Sequence, residues 1–203
     1  MKQAGIIYEN ELINQGYKLI AGVDEVGRGA VAGPVAACAV VLPHDLQING
    51  VYDSKALSEK KRNSLADEIK ITAVCYSIKY IDNSYVDEQG IDRATYEAMR
   101  LAVLSLHIKP NAVLVDGNPT EYLNEFYCKF IIGGDKHSHT IAAASILAKV
   151  ERDLYMLRLH EKYPMYGFDK HKGYGTKAHF LVLEEYGLCE YHRKSFLKKL
   201  LLE

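Results

Sequence analysis

Hydrophobic residues in this sequence cluster into five short runs separated by polar or glycine-rich segments. Four runs are nearly continuous and rich in small or β-branched residues, which is typical of strands buried on both faces, and one alternates. They predict strands over residues 17–23, 35–42, 73–81, 112–115 and 128–132. Because glycine and proline punctuate the segment between the first two strands, these are expected to form a hairpin.

Many of the remaining apolar residues recur three and four positions apart, which is the spacing of one helix face. Ser58 is a good N-cap, Asn83 or Ser84 can begin a short helix, and Pro110 and Pro164 end longer ones. The predicted helices cover residues 5–15, 59–70, a short segment after 83, 91–107, 120–126, 140–163, 177–186 and 193–201, with polar loops over 43–57 and 165–176.

The longest predicted helix, residues 140–163, begins with the small residues Ala142 to Ala144, which allow another element to pack closely. Further along this helix, the spacing assigns one apolar and one polar face. The apolar face contains Leu147, Val150, Leu154 and Leu157, and the polar face contains Ser145, Lys149, Arg152 and Asp153.

The order of these elements predicts an α/β fold with a mixed sheet and helices on its faces. The chain has 203 residues, of which 48% are hydrophobic and 25% charged, and no repeat or linker divides it, so a single domain is expected. The four cysteines form no Cys-x-x-Cys pair, and no apolar run reaches the length of a membrane span. These features predict a cytoplasmic protein. The net charge of -1 neither supports nor excludes a nucleic-acid partner.

Four acidic residues occupy unusual positions. Asp24 and Glu25 interrupt the first apolar run, while Asp116 and Asp135 follow or precede glycine near the ends of later strands. Strand ends of an α/β sheet bring distant residues into one crevice, so the four carboxylates are candidates for a common site. Together they would repel one another unless hard cations such as Mg²⁺ or Mn²⁺ were bound, and two such ions support phosphodiester hydrolysis.

A simpler interpretation of these acids remains open at this point. An Asp-Gly pair after a strand is usually only a turn. In a regular strand, Glu25 should point to the face opposite Asp24, unless Asp24 lies at the end of the strand.

Two glycine-containing segments are candidates for nucleic-acid contact. Gly27-Arg28-Gly29 either permits a tight hairpin or lets the backbone approach a phosphate or sugar closely. The loop around Tyr174 mixes Lys, His and Gly, and its aromatic ring could stack on a sugar or base. Lys55, Lys149 and Arg152, judged singly, fit solvated or structural roles. His137 and His139 could be zinc ligands, although no third partner has suitable spacing.

Taken together, these motifs closely resemble bacterial ribonuclease HII, the type 2 ribonuclease H. The resemblance runs in order from about residue 18 to residue 197. It rests on Ala-Gly-Val-Asp-Glu-Val-Gly-Arg-Gly at 21–29, Asp53-Ser54-Lys55 with Leu57 to Lys60, Val115 to Asn118, Gly134-Asp135, Ala143 to Val150 with Arg152-Asp153, His171 to Tyr174, and His192-Arg193 with Ser195-Phe196.

The resemblance implies an RNase H-like fold, with a central mixed five-stranded sheet flanked by helices and a small C-terminal helical subregion at about 165–203. It implies a metal-dependent endonuclease, expected to act as a monomer, that cleaves the RNA strand of RNA–DNA hybrids. It further implies incision 5′ to single ribonucleotides embedded in duplex DNA, with Mg²⁺ or Mn²⁺ as the cofactor and 5′-phosphate and 3′-hydroxyl ends as products.

The resemblance also assigns site residues. The four acidic positions of the family, catalytic and metal-binding, fall on Asp24, Glu25, Asp116 and Asp135. The substrate-binding positions fall on Gly27, Arg28 and Gly29, which read the ribose 2′-hydroxyl, and on Tyr174, which stacks at the ribo-to-deoxyribo junction; Lys55 is a further candidate.

Two alternatives belong to other functional classes. A non-catalytic nucleic-acid-binding module could use the same basic loops, but carboxylates facing a phosphate backbone repel it unless a metal is present. A different metal-dependent phosphotransfer enzyme could use the same sheet. The Gly-Arg-Gly segment and Tyr174 argue against it, because they suit discrimination of a ribose.

Overall fold

A computed structural model describes residues 3–198 and contains one mixed sheet of five strands in the order β3-β2-β1-β4-β5. The first three strands form antiparallel pairs, whereas β4 and β5 add in parallel to β1. This confirms the predicted mixed five-stranded sheet. The strands are β1 (Ile20–Val26), β2 (Val35–Val41), β3 (Cys75–Ile81), β4 (Ala112–Asp116) and β5 (Cys128–Ile131).

Helices flank the sheet on both faces, as predicted for this class. Ser58 caps the second helix by accepting a hydrogen bond from the backbone N–H of Lys61, as the sequence predicted. The helices are α1 (Ile7–Asn14), α2 (Glu59–Thr72), α3 (Asn83–Gln89), α4 (Ile91–Leu104), α5 (His139–Lys162), α6 (Phe168–His171) and α7 (Lys177–Tyr186).

The two faces of the sheet carry separate hydrophobic cores. One core packs α4 against β1, β2 and β4, and the other packs α2 and α5 against β2. Helix α5 approaches β1 so closely that a Cβ atom at Gly22 would overlap the backbone of Thr140. The alanines at the start of α5 are all buried, which confirms the close packing predicted from their small size.

The predicted end of the first strand is wrong. Strand β1 continues through the acid pair to Val26, because Asp24 and Glu25 remain in register with Cys38 and Ala37 of β2. Asp116, by contrast, is the last residue of β4, as expected for an acid at a strand end.

Several helix predictions need correction. The N-cap of α3 is Asp82 rather than Asn83 or Ser84, since its carboxylate accepts the N–H of Tyr85. Only a 3₁₀ turn, Glu121–Leu123, forms within 120–126, and the loop predicted over 165–176 contains α6. Of the helix predicted over 193–201, the described residues form a 3₁₀ turn at Lys194–Phe196, and residues 199–203 lie outside the described part of the chain.

The face assignment for α5 is also partly wrong. Leu154 is exposed, whereas Arg152, placed on the polar face, is completely buried. The reason is that α5 leaves the sheet along its length and then packs against a third apolar cluster, which contains Met156, Leu159 and Phe168. Within the described residues, no helix is long and apolar enough to cross a membrane.

Candidate active site at the edge of the sheet

A cleft of about 470 Å³ opens at the edge of the sheet where β1 and β4 end. All nine sequence-predicted site residues line it, although they come from five separate parts of the chain. The lining residues are Asp24, Glu25, Val26, Gly27, Arg28, Gly29, Ser54, Lys55, Asp116, Asp135, Ser145, Lys149 and Tyr174.

Three carboxylates form the centre of this cleft. One oxygen from each of Asp24, Glu25 and Asp116 lies within 4.8 Å of the others. Asp24 and Asp116 share the sheet face covered by α5, because parallel pairing aligns Val23 with Val115 and therefore brings the next residues side by side. Glu25 alternates to the other face, as a regular strand requires, yet one of its carboxylate oxygens reaches the group.

Asp135 lies on the same cleft, but it is not part of the three-acid group. The glycine before it positions this segment, since the N–H of Gly134 donates a 2.6 Å hydrogen bond to Oδ1 of Asp116. A side chain at Gly134 would overlap Ile141 of α5. The turn after β5 is thereby held against the end of β4.

The acid cluster carries a high electrostatic cost. Asp24 is only 4% exposed, and burial together with repulsion from Glu25 and Asp116 raises its pKa well above the usual range. Burial also raises the pKa of Glu25 and of Asp135. A hydrogen bond from Ser145 acts in the opposite direction on Asp24. Because several carboxylates share a desolvated space, this donor set fits a hard divalent cation with oxygen ligands.

Sequence reasoning did not assign Ser54, Ser145 and Lys149 to the site. The hydroxyls of Ser54 and Ser145 are 2.9 Å apart, which connects the loop before α2 to α5 beneath the acids. Nζ of Lys149 lies 2.7 Å from Oδ1 of Asp153, and burial lowers the pKa of this lysine. Ser145 and Lys149 lie within Ala143 to Val150, one of the sequence blocks that carry the resemblance. That block could have pointed to both residues.

Gly27 and Gly29 are glycines for different physical reasons. Gly27 has φ +93°, and a Cβ there would overlap the guanidinium group of Arg152. Gly29 has no other atom within 4 Å of the position of a Cβ. Gly27 is therefore required by packing, whereas Gly29 leaves free space for another molecule.

The side chain of Arg28 is already engaged by acids. Its Nη2 atom lies 2.6 Å from Oδ1 of Asp92, and Nε lies 3.9 Å from Oε1 of Glu25. Arg28 lowers the pKa of Glu25 and so opposes the effect of burial on that carboxylate. The side chain of Arg28 is 39% exposed, and it lines the cleft.

Arg152 connects the Gly-Arg-Gly segment to the Tyr174 loop. Its buried guanidinium donates hydrogen bonds to the backbone carbonyls of Pro34, Ala32 and Lys172 at 2.9, 3.2 and 2.9 Å. The same group lies 5.5 Å from the ring centre of Tyr174. One side chain of α5 therefore fixes both segments relative to the sheet.

A second buried arginine supports the same region from the C-terminal side. Arg193 donates two hydrogen bonds to the carbonyl of Gly33 and one to that of Arg28. Isolated β-bridges pair Ala30 with Tyr174 and Ala32 with His192. The segment after β1 is thus held by residues more than 120 positions away in the sequence.

The two histidines considered as zinc ligands do not meet at a site. His139 is buried and accepts the N–H of Ile48, whereas His137 is exposed. Within residues 3–198, three side chains bring potential metal-ligand atoms close together, and all three are acids. They are Asp24, Glu25 and Asp116.

The mixed five-stranded sheet with flanking helices defines the RNase H-like class, and solved structures share this fold. The ribonuclease H2 of Pyrococcus horikoshii OT3 superimposes with a TM-score of 0.75 at 26% identity, over 89% of this chain and 96% of that one. The structure of Bst ribonuclease HIII in complex with Mn²⁺ matches with a TM-score of 0.66 at 20% identity, over 88% and 64% of the two chains, which supports the fold alone.

Sequence comparison identifies the family within this class. The family model "Ribonuclease HII" matches residues 21–199, and the ribonuclease HII of Caldicellulosiruptor bescii is 51% identical over 95% of this chain and 93% of its own length. The chain belongs to the ribonuclease HII family. It is therefore an endonuclease of the ribonuclease H type, a divalent-metal-dependent hydrolase family that acts on RNA–DNA hybrids.

Proposed function

We propose that this protein cleaves the RNA strand of RNA–DNA hybrids and also incises 5′ to single ribonucleotides embedded in duplex DNA, leaving 5′-phosphate and 3′-hydroxyl ends. The observation that carries the proposal is a single cleft. It holds three carboxylates within 4.8 Å of one another beside a glycine-bounded segment and Tyr174. Hydrolytic chemistry and recognition of the sugar can therefore act on the same nucleotide.

The acids would hold two divalent cations, Mg²⁺ or Mn²⁺. Asp24, Glu25 and Asp116 offer oxygens within 4.8 Å of one another, and Asp135 offers another on the same cleft. Two bound divalent ions activate a water molecule and stabilise the leaving oxygen of a phosphodiester. Burial and repulsion from the other acids raise the pKa of Asp24, and this repulsion would be offset if Asp24, Glu25 and Asp116 held divalent cations.

The protein's own groups orient this site. The hydrogen bond from Ser145 holds the Asp24 carboxylate, and the amide of Gly134 holds that of Asp116. Lys55 and Lys149 place positive charge on the cleft beside the acids, where a phosphate of the substrate would lie. Such contacts add affinity without sequence preference.

Recognition of the ribonucleotide would come from the Gly-Arg-Gly segment and Tyr174, which line the same cleft as the acids. Only a 2′-hydroxyl distinguishes RNA from DNA at one nucleotide. The backbone at Gly29 is open to a sugar, because nothing occupies the position of a Cβ there. Tyr174 faces the same space and offers a flat ring for stacking on the adjacent sugar.

We propose that residues 1–203 act as one catalytic domain, with residues from about 165 as a C-terminal helical subregion, and that the enzyme is a monomer. The bridges Ala30–Tyr174 and Ala32–His192 support the domain assignment, because they tie the subregion to the segment after β1.

The proposal is tested with a DNA duplex that carries one ribonucleotide, incubated with Mg²⁺, with Mn²⁺ and with a chelator. Cleavage 5′ to the ribonucleotide in either metal, and none in the chelator, is expected. Sequencing-gel mobility against marked 5′-phosphate and 3′-hydroxyl standards identifies the ends. Binding without cleavage in both metals would instead favour the non-catalytic binding module.

A second experiment tests the role of Tyr174. Tyr174→Ala is expected to lose more activity on the single-ribonucleotide duplex than on a long hybrid, because a long hybrid offers many equivalent cleavage positions. The exposed Tyr186 provides a control, since Tyr186→Ala removes the same atoms from another surface. Equal losses of Tyr174→Ala on both substrates would contradict the junction role.

A further inference from the structure

Three histidines lie side by side behind the Tyr174 loop, outside the acid cluster. The rings of His171 and His179 stack at 4.1 Å, and the ring centre of His192 lies 5.2 Å from that of His179. His179 and His192 are only 0% and 1% exposed. Neither the acids nor the lysines of the cleft account for this group.

A continuous series of hydrogen bonds passes through the two buried histidines and ends at Tyr174. The backbone N–H of Cys189 lies 2.9 Å from Nδ1 of His192. Nε2 of His192 lies 3.0 Å from Nε2 of His179. Nδ1 of His179 lies 3.0 Å from the backbone carbonyl oxygen of Tyr174.

Only one arrangement of protons satisfies all three contacts. An amide N–H can only donate, so Nδ1 of His192 carries no proton and its Nε2 does. A carbonyl can only accept, so Nδ1 of His179 carries the proton and its Nε2 accepts from His192. The carbonyl of Cys189 is the more distant neighbour of His192, at 3.3 Å. Both rings are therefore neutral, each in a defined tautomer.

The backbone held by this series is unusual. Lys172 has φ +51°. Among residues 3–198 it is the single non-glycine residue with positive φ, and Gly173 follows with φ +81°. The left-handed conformation of Lys172 carries a cost that neighbouring contacts must offset, whereas Gly173 adopts positive φ freely. His171 contributes by accepting the N–H of Gly173 at its Nδ1 atom, 3.2 Å away. The bend delivers Tyr174 to the cleft.

We propose that His179 and His192 are positioning residues for Tyr174, holding its peptide group, and through it the ring, in the orientation that recognises the ribo-to-deoxyribo junction. This inference rests on the proposed role of Tyr174. It predicts that loss of the hydrogen bond to the Tyr174 carbonyl reduces the preference for single ribonucleotides more than it reduces hydrolysis itself.

The surroundings of the pair favour neutral rings. Besides each other, His179 and His192 face His171, Tyr166, Phe168 and the backbone of Cys189, and no carboxylate within residues 3–198 contacts either ring. Burial lowers the pKa of both histidines to about 4. The tautomers required by the hydrogen bonds are thus available throughout the neutral pH range.

The test compares two amides at position 179. The side-chain nitrogen of Asn can take the place of Nδ1 and keep the bond to Tyr174, whereas the longer Gln reaches the Nε2 position and loses it. Both variants lose stability. For His179→Gln, the ratio of cleavage rates on the single-ribonucleotide duplex and on a long hybrid should fall by about fivefold, whereas His179→Asn should stay near the wild-type ratio. Equal ratios for the two variants would overturn the proposal.

Combination with Tyr174→Ala separates this inference from the proposed function. If the histidine acts through Tyr174, His179→Gln causes no further change in the ratio when Tyr174 is already Ala. If Tyr174→Ala alone leaves the ratio of the two cleavage rates unchanged, the junction role of Tyr174 is wrong. The inference about the histidines, which depends on that role, is then wrong as well. If Tyr174→Ala changes the ratio and His179→Gln does not, the inference alone fails. The buried His139 serves as a control, because His139→Asn should lower stability without changing the ratio.

Histidine ¹⁵N spectra give a readout that does not depend on activity or on the folding of a variant. In the wild-type protein at pH 7, His179 should appear as the Nδ1–H tautomer and His192 as the Nε2–H tautomer. The reverse assignment, or a charged ring at either position, would contradict the hydrogen-bond series on which the proposal stands.

Discussion

The acid cluster and the Tyr174 loop line the same cleft, but their polar groups have very different partners. Asp24, Glu25 and Asp116 face one another, and burial raises the pKa of Asp24 and Glu25. In the Tyr174 loop, the carbonyls of Lys172 and Tyr174 accept hydrogen bonds from Arg152 and His179. The acid cluster is therefore unfavourable without a cation, whereas the Tyr174 loop is stable by itself.

Because of this difference, the acid cluster and the Tyr174 loop should respond differently to substitution. Removing a charge from the acid side is expected to destroy activity and relieve repulsion. Removing a contact from the recognition side is expected to cost stability first. Substitutions on each side, and a change of pH, distinguish the two responses.

Asp24→Asn should reduce cleavage by about 10³-fold or more, because it removes a charged ligand at the centre of the cluster. It should also raise the melting temperature in the presence of a chelator, since the buried charge is lost. Added Mn²⁺ should stabilise the wild type more than the variant. Asp67→Asn, on an exposed position of α2, should change neither property. A melting temperature lowered by Asp24→Asn would contradict the proposed repulsion.

Gly27→Ala should destabilise the protein by about 3 kcal/mol, because the new Cβ overlaps the buried Arg152 and φ is positive. Gly29→Ala should change the free energy of unfolding by less than about 0.5 kcal/mol, because its Cβ points into open space. Its effect should appear instead as weaker cleavage of ribonucleotide-containing DNA. Urea unfolding and cleavage assays on both variants check the contrast, and similar losses of stability would refute it.

Arg152→Lys should cost about 2–3 kcal/mol of unfolding free energy. A lysine cannot reproduce the fork that donates to Pro34, Ala32 and Lys172. Arg158, exposed on the same helix, offers the matched control Arg158→Lys, which should stay within about 0.5 kcal/mol of wild type. If the two variants have the same urea midpoint, the structural role of Arg152 is wrong.

Acidification should weaken the fold through its buried histidines. Burial lowers the pKa of His139, His179 and His192 to about 4, below the value of 6.5 in the unfolded chain. The unfolded state therefore binds more protons between these two pH values, so stability falls as pH drops from 6.5 towards 4. At pH 5 each histidine should contribute a loss of about 1–2 kcal/mol.

Urea unfolding at pH 7 and pH 5, compared between the wild type and His192→Gln, measures this effect, because the acids with raised pKa act in the opposite direction equally in both proteins. Part of the loss should disappear in His192→Gln, because that side chain does not titrate. A loss of the same size in both proteins would exclude His192 as a contributor.

The strands and long helices were predictable because they depend on local patterns. Ser58 was recognised as a cap, and the alanines of α5 as a close-packing surface, from residue type and spacing alone. The acids stood out because charges in apolar runs need an explanation. The end of β1 was missed, since pairing of Asp24 and Glu25 with β2 is a tertiary contact.

The burial of Arg152 is the clearest feature that local sequence patterns could not predict. Its helical position and its charge both indicated a polar face, yet it is buried against three backbone carbonyls. Those carbonyls belong to segments about 20 and 120 residues away, and no periodicity within α5 reveals them. The requirement for glycine at position 27 depends on the same buried arginine.

Hydrophobic periodicity in the sequence predicted the sheet and its flanking helices, and the motif blocks pointed to the family and to four candidate acids, because both kinds of signal lie in neighbouring residues. Only the tertiary structure decided how the cleft is assembled. It brought Asp24, Glu25 and Asp116 within 4.8 Å, left Asp135 beside them, and placed two neutral histidines behind Tyr174. The physical reason is that burial, register and proton position depend on partners distant in sequence, and these exist only once the chain has folded.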